Sequence, residues 1–160
     1  MSMSVGELSD RCEIYDLYSR YVHAGDDHNF EMLDTVFVPD ATFNYSDNEE
    51  VPSVYQGGQR DLFIKLGGET PYKHHHCSSI LIEFDDEART VAHVKSKMYF
   101  SYGSTDELGN LVFFEMHGVY ADVLLNTDLG WRISSRKWNP ASIVGPMPGT
   151  PGPREFGSVW

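Results

Sequence analysis

The sequence predicts an α+β domain, and three observations carry that prediction. Apolar residues recur at helical spacing over the first part of the chain. From about His75 the spacing changes to an alternation of period 2 that runs on to Trp138. The links between these later segments are short and rich in Asp, Asn and Gly, so successive strands must be antiparallel neighbours. Helices at the front and strands at the back describe three N-terminal helices packed on one face of a curved antiparallel sheet.

The first helix is expected from Val5 to Ala24. Ser4-x-x-Glu7 has the form of a capping box, Leu8, Ile14, Leu17, Tyr18 and Tyr21 make one apolar face, and Gly25 marks the stop. A second helix follows from Asn29 to Phe37, with Phe30, Leu33, Val36 and Phe37 inward and Pro39-Asp40 closing it. Ala41 to Tyr45 reads as a strand, Ser46 to Glu50 as a polar turn, and Val54-Tyr55 as a weak strand before a third helix over Gly58 to Leu66. Three long strands are expected at His75 to Phe84, Arg89 to Tyr102 and Leu111 to Leu125, then a shorter one at Trp131 to Trp138. Asn139 to Trp160 holds five of the eight prolines and four glycines, a composition at odds with regular structure. Residues 1–138 therefore read as one domain and 139–160 as a tail. Its Ile143, Val144, Met147, Phe156, Val159 and Trp160 would gain by docking over a cavity mouth or a neighbouring subunit.

At 160 residues and 41% hydrophobic content the chain can fill a single core, which excludes disorder and a multidomain reading. Twelve Lys and Arg against twenty-four Asp and Glu leave a net charge of −12, which repels phosphate backbones and anionic headgroups, so nucleic acid is not an expected partner. No apolar run reaches the length of a membrane span, and the N-terminus lacks the pattern of a signal peptide, so a cytoplasmic protein is expected. Cys12 and Cys77 have no ligand-like spacing and read as reduced and buried. Nine Tyr, nine Phe and three Trp exceed what a minimal core needs; the surplus either fills an aromatic core or lines an apolar ligand cavity.

His74-His75-His76 invites a metal reading, but alternation along a strand sends His75 to the opposite side from its neighbours, and no spaced partner ligands lie close by. No metal is assigned. Strict parity groups His75 with Cys77, Ser79, Leu81 and Glu83, and a bulge would reset that count. Asp26 and Asp27 follow the first helix. One of them, or Asn29, caps the second helix, and a spare carboxylate there can pair with a histidine as a proton-transfer dyad. Arg136 stands in an apolar final strand, either as a surface charge on an alternate position or as a functional cation. His117 and Tyr120 face opposite ways, so only one of them can look into a given cavity. No nucleophile elbow, P-loop or dinucleotide fingerprint is present.

Taken in order, Tyr21-Val-His-Ala-Gly-Asp26, Asn29-Phe30-Glu-Met-Leu33, Phe37-Val-Pro-Asp-Ala41, His75 leading into Ile80-Leu-Ile82, Gly118-Val-Tyr-Ala-Asp122 and Gly130-Trp-Arg-Ile-Ser-Ser-Arg136 resemble the SnoaL-like proteins. These belong to the superfamily of nuclear transport factor 2, with its cystatin-like cone, and the resemblance covers about residues 7 to 138. The likeness extends to scytalone dehydratase, hexachlorocyclohexane dehydrochlorinase and bile acid dehydratase. It implies that Asp26 and His75 form a proton-abstracting pair, with Tyr21 and Arg136 as further catalytic groups and no cofactor. Phe100 and Tyr120 stand where scytalone dehydratase has a second pocket histidine and an asparagine, which argues against the same substrate.

The expected function is therefore a cofactor-independent lyase of the dehydratase type, or an isomerase, acting on a small apolar aromatic, polyketide or terpenoid compound. Tyr120, Phe100, Phe30, Phe114 and His117 are the candidate substrate-binding residues. The alternative is a noncatalytic ligand-binding or assembly subunit, since ring-hydroxylating dioxygenase small subunits share the fold without catalysing a reaction. A homo-oligomer, dimer or trimer, is expected in either case, because a sheet with one face covered by helices leaves the other to bury.

Overall fold

The computed structural model describes residues 3–45, 53–69, 72–106 and 108–145. Helix α1 spans Val5–Asp26, opened by the Ser4 hydroxyl, which accepts the Glu7 N–H. Ile14, Leu17, Tyr18, Tyr21 and Ala24 are its buried face, while Leu8 is exposed. Gly25 does not end the helix. The stop falls at His28, whose left-handed φ of 56° breaks the ladder two residues after Asp26. The two extra residues carry Asp26 to the end of α1 instead of leaving it in a loop.

Helix α2 is a single turn, Phe30–Leu33, capped by the Asn29 carboxamide, which accepts the Met32 N–H at 3.3 Å. The expected longer helix gives way at Phe37 to strand β1, Phe37–Asn44. Pro39 and Asp40 lie within that strand, where the pairing register slips between Phe37 and Thr42 and the missing proline N–H goes unused. Strand β2 is Ser53–Val54. An irregular helical turn, Tyr55–Gln59, leads into α3, Arg60–Glu69, and Gly58 takes a φ of 123° at the kink.

Four long strands complete the chain: β3, Tyr72–Phe84; β4, Val91–Thr105; β5, Leu111–Thr127; and β6, Gly130–Val144. The six strands form one curved sheet in the order β2-β1-β6-β5-β4-β3. It is mixed, not antiparallel throughout, because β1 pairs parallel with β6. Short links dictate antiparallel pairing only between successive strands; β1 and β6 are separated by most of the chain and meet through the fold. β6 also runs past Trp138 to Val144, so Asn139 to Val144 belongs to the sheet. Pro140 sits opposite Gly118 at a register shift, where a ladder N–H is dispensable. Residues 46–50, and the apolar tail residues from Met147 to Trp160, lie outside the described residues.

The core lies between α1 and the inner face of the sheet, with Phe37, Phe43, Tyr55, Trp131, Ile133 and Leu124 fully covered. Cys12 is exposed and Cys77 half-buried, both as free thiols, which corrects the expectation that both are buried. Among the described residues no helix is long and apolar enough to cross a membrane. Gly118 lies under the Trp138 ring, and a Cβ there would overlap both that ring and the Asn139 carbonyl. Gly118→Ala is expected to cost about 1–3 kcal/mol, read as a lowered urea midpoint with unchanged slope. An unshifted midpoint would show that Trp138 repacks freely.

Candidate functional site

The site begins where α1 ends. β3 is an edge strand, so the main-chain N–H of His75 is not needed by a neighbouring strand, and the Asp26 carboxylate at the end of α1 takes it: Oδ2 accepts the His75 N–H at 2.9 Å. The other oxygen, Oδ1, pairs with His75 Nδ1. One carboxylate thus holds both the backbone and the ring of one residue. The His75 and Asp26 side chains are 10% and 13% exposed, a partly desolvated pair. A carboxylate accepts only, so Nδ1 carries the hydrogen and the Nε2 lone pair is left to face the other way. Burial alone would raise the Asp26 carboxyl. The hydrogen bonds from the His75 ring and main chain, with the charge that the adjacent imidazoles carry when protonated, outweigh it and hold the group below the ordinary carboxylate value.

His75 faces inward because of Ser79. The β3 register shifts between Ser78 and Leu81, and Ser79 takes a left-handed φ of 50°, the mark of a bulge. His75 and Cys77 therefore share the covered side with Ile80, Ile82 and Phe84, whereas strict alternation would group them with Leu81 and Glu83, which are exposed. His74 and His76 point outward, their rings 4.5 Å apart. Among the described residues no group of three or more His, Cys, Asp or Glu is placed to hold a metal ion.

An aromatic wall surrounds the imidazole. Phe100 meets it edge-on at 4.8 Å and Tyr102 at 5.6 Å, and the Tyr102 hydroxyl lies 3.2 Å from Nε2. Tyr21 is 6.5 Å away, centre to centre. Phe114 lies beyond Tyr102, at 6.2 Å. A groove of about 400 Å³ between α1 and β3 reaches the histidine past Ser19, Val22 and Cys77.

A second polar array lies on the same inner face. The Tyr21 and Tyr120 hydroxyls are 3.1 Å apart, and the Arg136 guanidinium sits over both rings, 4.3 Å and 3.9 Å from their centres. Arg136 is fully buried. Its Nε and Nη2 donate to the two oxygens of Asp122 at 2.9 and 2.8 Å, and Tyr18 donates to the same carboxylate at 2.6 Å. The remaining nitrogen, Nη1, has no hydrogen-bond partner among the described residues. Burial works against the guanidinium's charge, yet the Asp122 carboxylate more than restores it, so the group stays protonated. Burial also raises the Tyr21 and Tyr120 phenols, which remain neutral hydroxyls able to donate.

Arg136 is thus no surface charge. The β5–β6 register slips between Val123 and Leu124, leaving Ser134 as an extra residue, and this second bulge turns Arg136 and Trp138 to the side already held by Trp131 and Ile133. Phe30 lies beside His28, with the Lys73 ammonium 5.7 Å from its ring centre. His117 is on the opposite face of the sheet from His75, its ring 4.8 Å from Tyr99, and cannot share a cavity with Tyr120; alternation over three residues separates them. Sequence reasoning passed over Tyr102, Asp122 and Tyr18 as site residues. The first two had a signal: each stands two residues after an inward aromatic, Phe100 or Tyr120.

The chain belongs to the SnoaL-like family: residues 6–137 match its SnoaL-like domain, of the kind built on the nuclear transport factor 2 fold. It is 38% identical over 72 residues to the uncharacterized protein Rv2910c of Mycobacterium tuberculosis, a stretch that is 45% of this chain and 49% of that one. The chain thus spans about half the length of the curated relatives it matches. In structure it is similar to a scytalone dehydratase-like protein of Novosphingobium aromaticivorans, with a TM-score of 0.79 at 20% identity over 98% of this chain and 100% of that one. It is also similar to a type 3 hexachlorocyclohexane dehydrochlorinase from Novosphingobium barchaimii, with a TM-score of 0.69 at 18% identity over 89% and 93% of the two chains. At such identities these likenesses establish the fold and not the reaction.

Proposed function

We propose that the protein is a cofactor-independent lyase of the dehydratase type, or an isomerase, that removes a proton from carbon in a small apolar aromatic, polyketide or terpenoid compound. The observation that carries this reading is the two-point grip of Asp26 on His75, which orients the imidazole with Nε2 toward an aromatic wall. His75 is the general base. Asp26 sets its tautomer and stabilises the imidazolium that forms. Tyr21 and Tyr120 offer one hydroxyl proton between them to a developing enolate oxygen, since one of the two O–H groups is used by the other. Arg136 beneath their rings favours negative charge at those oxygens. Phe100 and Phe114 form an apolar wall for the substrate; Phe30, next to Lys73, belongs to its rim. His117 has no place in this proposal, since it lies across the sheet.

A nitrobenzisoxazole tests the base without knowledge of the natural substrate. Loss of its ring C–H breaks the N–O bond and releases a coloured nitrile phenolate, a reaction that needs only a positioned base in an apolar site. Wild-type protein is expected to turn it over, and His75→Gln to lose about a hundredfold or more. Equal rates in the two proteins would favour a noncatalytic binding module and sink the assignment.

A further inference from the structure

The hydroxyl of Tyr102 lies 3.2 Å from His75 Nε2, the nitrogen that serves as base in the proposed reaction. Its ring stands on edge to the imidazole, at 89°, and is held between two stacked neighbours, Phe100 and Phe114, at 13° and 21°. Burial raises the phenol well above its ordinary value, so at rest it is a neutral hydroxyl that donates to the Nε2 lone pair.

When substrate binds, its C–H displaces the Tyr102 proton from the Nε2 lone pair, and once Nε2 has taken the proton from carbon the roles across this contact reverse. The Nε2–H then faces a phenolic oxygen that still carries a proton of its own. In an elimination the proton leaves one carbon and the oxygen departs from the next, so an imidazole placed against the first must either shift or hand its proton on to reach the second. A hydroxyl one hydrogen bond away from Nε2 covers that displacement.

We propose that Tyr102 is a further catalytic residue, which relays the proton taken up by His75 to the departing oxygen of the substrate. This rests on the reading of His75 as the base. The C–H pair of electrons becomes the enolate and then the new C=C bond, and the C–O bond breaks with its electrons on oxygen. Tyr102 supplies the proton that makes the leaving group water, and His75 Nε2–H restores the phenol. Substrate loses one water, and both side chains end as they began.

The aldol adduct of benzaldehyde and acetone, followed in heavy water, separates the two steps: exchange of the protons beside the carbonyl reports abstraction, and appearance of the conjugated ketone reports departure. Wild-type protein is expected to catalyse both. Tyr102→Phe should keep the rate of exchange while kcat for dehydration falls about a hundredfold, so that exchange outruns elimination. If exchange and elimination fall together, Tyr102 only positions His75, and the relay is overturned; if neither falls, the hydroxyl is idle and the relay is likewise overturned. Absence of both exchange and dehydration in the wild-type protein would instead remove the base, and the relay with it.

Discussion

Arg136→Ala is expected to destabilise the fold by about 3–5 kcal/mol, a large part of the roughly 5–15 kcal/mol that holds a domain together. The cause is the charge left behind. Asp122 has no exposed side-chain surface, and its two oxygens are taken by the Arg136 fork and by Tyr18. With the guanidinium gone, a carboxylate remains in the region of the Tyr21, Phe37 and Tyr120 rings, where among the described residues only the Tyr18 hydroxyl still offers it a hydrogen bond. Three ring faces lose their cation as well. Arg136→Lys should fare little better, because an ammonium cannot span both oxygens as the fork does. The joint replacement Arg136→Met with Asp122→Leu removes both charges at similar volume and should recover most of the loss. Urea unfolding of the four proteins decides it: a single-variant loss under about 1 kcal/mol would mean that water reaches Asp122, as at an exposed pair.

Asp26→Asn is expected to reduce nitrobenzisoxazole turnover by about a hundredfold, as much as loss of the base itself, with the fold intact. Asparagine has the shape of aspartate but can present N–H where Nδ1 now finds an acceptor. The imidazole then favours the other tautomer, with hydrogen on Nε2, and the base has no lone pair to offer. The same substitution should flatten the acid limb of the stability curve. The Asp26 carboxyl is held below its ordinary value in the folded protein, so its contribution to stability is complete above about pH 4 and fades as pH falls through the lowered value. Wild-type protein should therefore lose more stability on acidification than the Asn variant. Parallel curves in urea unfolding across that range would show that the pair adds no pH-dependent stability.

How far the site was legible depends on which physical rule governs each residue. Helix spacing and Ser4-x-x-Glu7 located α1 to within one turn, since both act over a few neighbouring residues. The place where α1 ends was not legible, because His28 adopts a conformation usually left to glycine, while Gly25 stays helical beneath the His75 ring. Alternation identified the long strands but not the facing of their side chains. Ser79 in β3 and Ser134 in β6 each insert one residue, and each reverses the parity of the strand beyond it. Without the first, His75 would share a side with Leu81 and Glu83; without the second, Arg136 would be the surface charge that simple counting allows. A serine in a strand carries no mark that distinguishes a bulge from a ladder position.

Asp122 and Tyr102 show the other boundary. Each obeys the alternation that makes its neighbour an inward residue, yet what it meets there comes from another strand: Arg136 for the first, His75 for the second. The sequence by itself determined the class of fold, the end-on meeting of a carboxylate with a strand histidine through family likeness, and an aromatic content larger than a bare core needs. Tertiary structure alone decided that β1 runs parallel to β6, that Arg136 is buried and neutralised, and that the phenols divide into one pair over a guanidinium and one hydroxyl on the imidazole. The reason is range: caps and periodicity are set by residues a turn or two apart, whereas register and the pairing of buried charge are set by strands that are distant along the chain and adjacent only once it has folded.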